Sequence, residues 1–364
     1  MKRLVRPAIA IVGSAALLAG CAGERPAASD PGAARALIER SLPGAVADRS
    51  GWVGDIDAAF SALKIPVSRD NVCAVIAVTQ QESGFRVDPV IPNLGSIARA
   101  EIDRRAEGVH IPLTLMHGVL ELKSSSGETY AERIDHARTE KDLSDIYEDF
   151  TASVPLGRTL LAGWNPIRTR GPMQVNVAFA QQFSALQPYP YPVKVSIDDE
   201  LFTRRGSLYF GTAHLLAYTA PYDSYLYRFA DFNAGQYSSR NAAFQNALSR
   251  ASGLTVTADG ALLPHDGGAT GSTELAARAL DARMNLGTDA IHAALERGRS
   301  ADFEQTALYR AVFELAEKRQ GRALPRAVLP RIKLKGPKIS RELTTEWYAR
   351  RVDGRFRACL RPAT

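Results

Sequence analysis

The chain contains few of the residues that hold metals or cross-link proteins. Cysteine occurs three times and histidine six times in 364 residues. His110, His117 and His136 lie at spacings that match no zinc-binding pattern, so the sequence predicts neither a metal site nor a cofactor. The sequence also lacks internal repeats and alternating strand patterns. These absences favour a mainly α-helical protein.

Strong net charge is missing as well. The formal net charge is +6. It falls to +3 if residues 1–20 are removed, because Lys2, Arg3 and Arg6 lie there. Binding of nucleic acid normally needs a concentrated basic surface, so this mild excess predicts no nucleic-acid partner. It is compatible with an anionic wall polymer but does not require one.

The N-terminal segment predicts export and lipid attachment. Basic residues precede an apolar run over residues 8–18 that is too short to span a bilayer comfortably, which is typical of a signal peptide over residues 1–20. The run ends in Leu18-Ala19-Gly20-Cys21, which resembles the bacterial lipobox, and Ala22 follows instead of the Asp of a retention signal. We predict an outer-membrane lipoprotein facing the periplasm, with a membrane anchor on Cys21 and a flexible tether over residues 21–45. An uncleaved anchor is the alternative.

A nearly continuous apolar run over residues 72–79 predicts a helix that is buried on every side. Ser68 is a candidate N-cap, and Gly84 is a candidate C-terminal stop. The helix would deliver one carboxyl group, Glu82, against apolar surroundings, which suits a general acid near neutral pH. A solvated Glu82 in the last turn is the simpler alternative.

Two cysteines besides Cys21 predict a disulfide. Cys73 lies in the apolar helix and Cys359 lies near the end of the chain. In an oxidising periplasm such a pair is more often bonded than free, so we expect it to tie the C-terminus to the core. The alternative is a pair of buried free thiols that pack as small apolar groups.

Helical periodicity and turn residues divide the chain into segments. We predict one catalytic domain over residues 46–253 with a long helical insertion over residues 86–170, a loop over residues 254–271, and a helical C-terminal extension over residues 272–364 packed on the core. Within the insertion the predicted helices cover residues 97–105, 112–122, 143–150 and 156–161.

Several short motifs occur in an informative order. They are Glu82-Ser83-Gly84-Phe85, Gly171-Pro172-Met173-Gln174, Gly206-Ser207-Leu208-Tyr209-Phe210 and Phe232-Asn233-Ala234-Gly235. Together, and after a lipobox, they resemble the lysozyme-like soluble lytic transglycosylases over residues 68–250. The resemblance implies a goose-type, lysozyme-like helical domain. The chain also resembles a group of uncharacterised bacterial lipoproteins with this fold.

The resemblance implies a peptidoglycan lytic transglycosylase, with glycan strands as partner and Glu82 as acid and then base. Ser83 would help to orient the carboxyl group or the substrate. Met173 and Gln174 would line the sugar groove, and Asn233 and Phe232 would contact substrate or the surroundings of Glu82.

This sequence also departs from the family pattern. Pro172 replaces a leucine, Phe232 replaces the tyrosine that places a hydroxyl near the catalytic carboxyl, and residues 86–170 lengthen a short connection. Asp231 is a possible second carboxylate, which would favour a hydrolytic muramidase. A third alternative is a non-catalytic lipoprotein that binds peptidoglycan or acts as a scaffold, since fold alone does not establish activity.

Overall fold

The computed structural model describes residues 31–154, 165, 167–220, 222–264, 270–334, 336 and 341–361, and it confirms a mainly helical protein. Two short antiparallel strand pairs interrupt the helices: β1 (Thr169–Arg170) with β2 (Val175–Asn176), and β3 (Lys333–Leu334) with β4 (Leu343–Thr344). The helices are α1 (Pro31–Ser41), α2 (Arg49–Leu63), α3 (Arg69–Glu82), α4 (Leu94–Gly108), α5 (Leu113–Leu120), α6 (Tyr130–His136), α7 (Glu140–Ser153), α8 (Val177–Leu186), α9 (Ile197–Glu200), α10 (Arg204–Leu216), α11 (Tyr225–Ala234), α12 (Ser238–Ser252), α13 (Ser272–Ala279), α14 (Asp281–Met284), α15 (Thr288–Glu296), α16 (Ala307–Gln320) and α17 (Thr345–Leu360), with 3₁₀ turns at Arg297–Arg299 and Ala301–Gln305.

Helix α3 forms the centre of the largest hydrophobic core. The Ser68 hydroxyl accepts the backbone N–H of Asn71 at 3.2 Å and starts the helix, as predicted. All side chains from Val72 to Thr79 are buried, which confirms the apolar central helix. Helices α2, α10, α11 and α17 enclose it and contribute aromatic and aliphatic side chains to the same core.

The disulfide joins this core to the end of the chain. Cys73 of α3 is bonded to Cys359 of α17 with Cα atoms 5.6 Å apart, which is the predicted pair. Helix α17 packs along both α3 and α11. The last helix is therefore part of the central core, although the prediction treated residues 272–364 as an extension packed on it.

Two smaller cores lie beside the central one. Helices α12 to α16 enclose the second, in which Phe244, Phe303 and Phe313 are buried. Helices α4, α6 and α7 of the insertion, joined by Ile167 and Phe202, enclose the third. The helices predicted over residues 97–105, 112–122 and 143–150 are confirmed as α4, α5 and α7, and the predicted helix over residues 156–161 lies outside the described residues. That residues 86–170 are an insertion into a catalytic domain stays a prediction.

The N-terminal predictions have different outcomes. The signal peptide over residues 1–20 and the lipidation of Cys21 lie outside the described residues. The flexible tether over residues 21–45 is wrong from Pro31 onward, because α1 packs Ile38 into the central core and Leu42, directly after α1, joins the same core. Among the helices that the structure describes, none combines the length and the apolar character that a membrane crossing needs.

Candidate active site

The end of α3 is held in a fixed position. After Glu82, the backbone N–H of Ser83 donates to the carbonyl of Thr79 at 3.1 Å, and Gly84 and Phe85 follow with φ angles of 59° and 63°. A left-handed conformation is unfavourable for a bulky residue such as Phe85. The Phe85 ring is nevertheless buried, edge-on against Trp52 at 5.1 Å between ring centroids, which holds the turn in place.

The Glu82 carboxyl group lies among protein atoms, although part of the residue is still accessible to solvent. Its Oε1 accepts a hydrogen bond from the Tyr348 hydroxyl at 2.5 Å. The pKa of Glu82 is raised from 4.5 to about 7, mainly by loss of hydration, while the hydrogen bond from Tyr348 lowers it and the charge of Glu140 raises it. A carboxyl group with this pKa can donate and accept a proton near neutrality.

Tyr348 supplies the hydroxyl that the sequence motif lacks. It lies on α17, 266 residues after Glu82, and its side chain is buried in the central core. Burial and the neighbouring carboxyl raise the pKa of Tyr348 well above its ordinary value, so its hydroxyl keeps its proton and acts as a donor. The sequence motifs did not identify Tyr348.

A second carboxylate, Glu140, lies near Glu82 and was also missed. Thr139 caps α7 in a reciprocal pair of hydrogen bonds with Asp142, which places Glu140 at the first position of the helix. Glu140 is 9% exposed, and its Oε2 accepts a hydrogen bond from Gln174 Nε2 at 2.8 Å. The helical insertion therefore contributes a charged group to the site.

The tight turn before β2 fixes Gln174. Gly171 has a φ of 72°, and a side chain there would collide with the carbonyl of Leu201. The backbone N–H of Gln174 donates to the Gly171 carbonyl at 2.8 Å, and the Thr169 hydroxyl donates to Gln174 Oε1 at 2.8 Å. The side-chain amide is therefore oriented by Thr169 on one side and by Glu140 on the other.

Asn233 is connected to the same site through α17. It is exposed near the end of α11, and its Oδ1 accepts a hydrogen bond from the Thr345 hydroxyl at 2.8 Å. Thr345 and Tyr348 are three residues apart on one helix, so they lie on neighbouring turns of the same face. Tyr348 and Thr345 of α17 thus link Glu82 to Asn233. Gln174 is bonded to Glu140, whose charge acts on Glu82.

Three predicted substrate contacts do not fit the structure. Met173 is fully buried against Gly211, and its backbone N–H donates to Ser207, so it packs in the core instead of lining a groove. The Ser83 hydroxyl is buried and donates to the Thr79 carbonyl, so it closes the helix and does not orient Glu82. Phe232 is 7% exposed and packs on the His214 ring.

Asp231 is a structural anchor and not a second catalytic carboxylate. It is 1% exposed, and burial raises its pKa to about 6 against the effect of its hydrogen bonds. Its Oδ2 accepts three hydrogen bonds and its Oδ1 accepts one, and the burial of the side chain gives an attacking water no access to it. The donors are the hydroxyls of Tyr218 and Tyr222 and the backbone N–H groups of Tyr237 and Ser239.

No cluster of three or more His, Cys, Asp or Glu side chains with the arrangement of a metal site occurs within the described part of the chain. The described side chains at this site are the carboxyl groups of Glu82 and Glu140, the amides of Gln174 and Asn233 and the phenol of Tyr348. Their contacts identify Glu82 as the group best placed for proton transfer.

Fold and site define a mainly helical protein with a carboxyl group of raised pKa in its central core. The chain belongs to the family described as "Protein of unknown function (DUF1615)", whose model matches residues 45–362. It is 47% identical over 349 residues to the uncharacterized protein YaiW of Escherichia coli (strain K12), and the match covers 95% of each chain. No solved structure matches.

Proposed function

We propose that this protein is a lysozyme-like lytic transglycosylase that cleaves the β-1,4 bond between N-acetylmuramic acid and N-acetylglucosamine in peptidoglycan. The observation that carries the proposal is the Glu82 carboxyl group, which accepts a hydrogen bond from Tyr348 and whose pKa is raised to about 7, mainly by burial. The ordered motifs around Glu82, Gln174 and Asn233 support the same reading. Gln174 is hydrogen-bonded to Glu140, whose charge acts on Glu82, and Asn233 is hydrogen-bonded to Thr345 on the helix that carries Tyr348.

The chemistry requires one carboxyl group that changes its protonation state twice. Tyr348 occupies Oε1, so the proton of neutral Glu82 is carried on Oε2 and passes to the glycosidic oxygen as the bond to C1 breaks. The 2-acetamido group of the muramoyl sugar stabilises the cationic C1. Ionised Glu82 then takes the proton of the C6 hydroxyl, and that oxygen bonds to C1. The product is a 1,6-anhydro sugar, Glu82 is protonated again, and no water is consumed.

Digestion of purified sacculi tests the proposal. We expect the wild-type protein to release muropeptides with 1,6-anhydro ends, identified by mass spectrometry. Glu82→Gln should abolish release in a folded protein, because glutamine keeps an acceptor for Tyr348 but has no proton to transfer. Glu107→Gln, on the exposed surface of α4, is the matched control. Binding to sacculi without any product would refute catalysis and favour the wall-binding alternative.

Glu140 favours hydrolysis as a second candidate function. Its charge acts on Glu82, and two carboxyl groups can divide the roles of acid and base when water attacks. This muramidase would release reducing ends only, and Glu140→Gln would abolish that release. Anhydro products that persist in Glu140→Gln would exclude hydrolysis and support the transglycosylase.

We also propose the location predicted from the N-terminal motif, the periplasmic face of the outer membrane. Labelling cells with radioactive palmitate tests it, since only an acylated Cys21 would retain the label. Cys21→Ala should abolish labelling. Persistence of the label in Cys21→Ala would refute the lipid anchor.

A further inference from the structure

The insertion borders a large cavity, and most of the wall of this cavity takes no part in the proposed mechanism. Its volume is about 780 Å³, and helices α4 to α7 form most of its wall. Small-molecule sites typically occupy roughly 300–1,000 Å³, so the cavity is large enough for a ligand of that class. Aliphatic and aromatic side chains dominate the lining, among them Leu94, Ile97, Ile102, Met116, Ile146 and Phe150.

Helix α5 shows that this apolar surface is incompletely covered by the described protein. Its sequence, Leu-Thr-Leu-Met-His-Gly-Val-Leu, is strongly apolar, yet only Leu120 is buried. Leu115 is 61% exposed, and Leu115, Met116 and Val119 all line the cavity. An apolar cavity does not gain from holding water, and its wall atoms lack dispersion contacts until an apolar group fills it.

The cavity lining is polar at two places, the Glu101–Arg105 ion pair of α4 and the end towards the candidate active site. Glu140 and Gln174, which are hydrogen-bonded to each other, line the same cavity as the apolar helices. Thr169 lines it at this end as well and donates to Gln174. One continuous space therefore runs from the apolar interior of the insertion to the carboxylate beside Glu82.

This arrangement suits an amphiphile better than a sugar chain or a peptide alone. Sugar hydroxyls need hydrogen-bond partners, which the aliphatic side chains that form most of the wall do not provide. A hydrocarbon chain needs none. The polar pair in the α4 wall, Glu101 and Arg105, are hydrogen-bonded to each other. The polar groups of Glu140 and Gln174 can receive the hydroxyl or amide groups of a head group at the other end.

We propose that the cavity binds the hydrocarbon chain of a glycolipid whose sugar head lies at Glu140 and Gln174. The choice of a sugar head rests on the proposed function, in which Glu82 acts on glycans. With the lipid-binding cavity added, the substrate class of the Glu82 site becomes lipid-linked glycans. The binding of the chain itself depends only on the cavity.

Binding of two probes tests the proposal. The probes are n-dodecyl β-D-maltoside and lauric acid, which share a chain length and differ in the head group. Each is titrated calorimetrically, below the concentration at which it forms micelles, into the full chain carrying Cys21→Ser. That substitution prevents an acyl group of the protein itself from occupying the cavity. We expect one molecule of the maltoside to bind, and more tightly than lauric acid.

Cavity-filling variants locate the site. Ala98→Trp and Ile102→Trp each place an indole in the cavity, and each should weaken maltoside binding at least tenfold. Leu186→Trp, at a position that is 87% exposed and outside the cavity, is the matched control and should bind as wild type. Circular dichroism shows whether each variant is folded. If one variant misfolds, the other still tests whether filling the cavity weakens maltoside binding.

Several results would overturn the proposal. They are absence of maltoside binding to the wild type, wild-type affinity in both cavity variants, and binding of lauric acid but not of the maltoside. A dimer that dissociates in Ala98→Trp would instead assign the cavity to a second copy of the chain. Failure of the proposed function looks different, because sacculi would stay intact while Ala98→Trp still weakens maltoside binding.

Discussion

Replacing Glu82 by glutamine removes the ionisable group and leaves the size and shape of the side chain nearly unchanged. The pKa of Glu82 is about 7 in the folded protein, against 4.5 for an ordinary glutamate. One pKa unit corresponds to 1.36 kcal/mol, so the ionised carboxyl destabilises the folded state by about 3 kcal/mol. Because the folded pKa is the higher one, the neutral carboxyl stabilises the fold fully below pH 4.5. This stability is lost as the pH rises through 7.

Urea unfolding of the wild type and of Glu82→Gln measures this difference directly. We expect the variant to gain about 3 kcal/mol relative to the wild type between pH 4.5 and pH 8.5, because glutamine does not ionise. The Tyr348 hydroxyl can still donate to the glutamine oxygen, so the packing is preserved. Glu107→Gln, at an exposed position, is the control and should follow the wild type. If the free energy of unfolding changes equally with pH in the wild type and in Glu82→Gln, the inference that loss of hydration raises the pKa of Glu82 is refuted.

The remaining predictions concern the groups around Glu82. Tyr348→Phe removes the hydrogen bond that lowers the pKa of Glu82, so the alkaline limb of the kcat/KM profile for sacculus digestion should move to higher pH. Glu140→Gln removes a charge that raises the pKa of Glu82 and should move the same limb to lower pH. Shifts in the same direction in both variants would contradict the opposite effects of Tyr348 and Glu140 on this pKa. Cys359→Ser should lower the free energy of unfolding by about 2–5 kcal/mol, measured with urea. Reducing agent should destabilise the wild type equally and leave Cys359→Ser unchanged, and equal effects on both proteins would contradict the role of the disulfide.

The features predicted correctly from the sequence depend on local patterns. The apolar run, the Ser68 cap and Glu82 at the C-terminal end lie within one helix, so helical periodicity was sufficient to place them. The disulfide was predictable because two cysteines in an oxidising compartment leave one pairing. The prediction that Met173 lines the groove was wrong, because the sequence around a methionine in a turn does not indicate whether its side chain faces a groove or the core.

Tyr348 could have been found by combining two correct predictions. Glu82 lies nine residues after Cys73, and Tyr348 lies eleven residues before Cys359. If the two cysteines are bonded and the helices run antiparallel, both side chains lie roughly 13–17 Å from the disulfide in the same direction, at a rise of 1.5 Å per residue. The disulfide and the helix geometry therefore predict the Tyr348 hydroxyl near Glu82, whereas the family motif has its tyrosine directly before Asn233.

The contacts of Glu140 and Asp231 could not be derived in this way. Asp231 is held by tyrosines and backbone groups that come together only when α11 and α12 are packed. Glu140 reaches the site because the insertion folds back onto the turn of Gln174, and nothing in the local sequence of α7 indicates that direction. Such positions depend on tertiary packing, which overrides local pattern.

The disulfide connects the chemistry of the site to the compartment proposed for the protein. The pKa of Glu82 depends on close packing around its carboxyl group, and Tyr348 is part of that packing. Both helices that carry these side chains are tied together by Cys73 and Cys359, with a sequence separation of 286 residues. Without the bond, the approach of α17 to α3 would depend on noncovalent contacts alone. A site assembled from opposite ends of the chain is thus stabilised by oxidation, which is consistent with the periplasmic location that we propose.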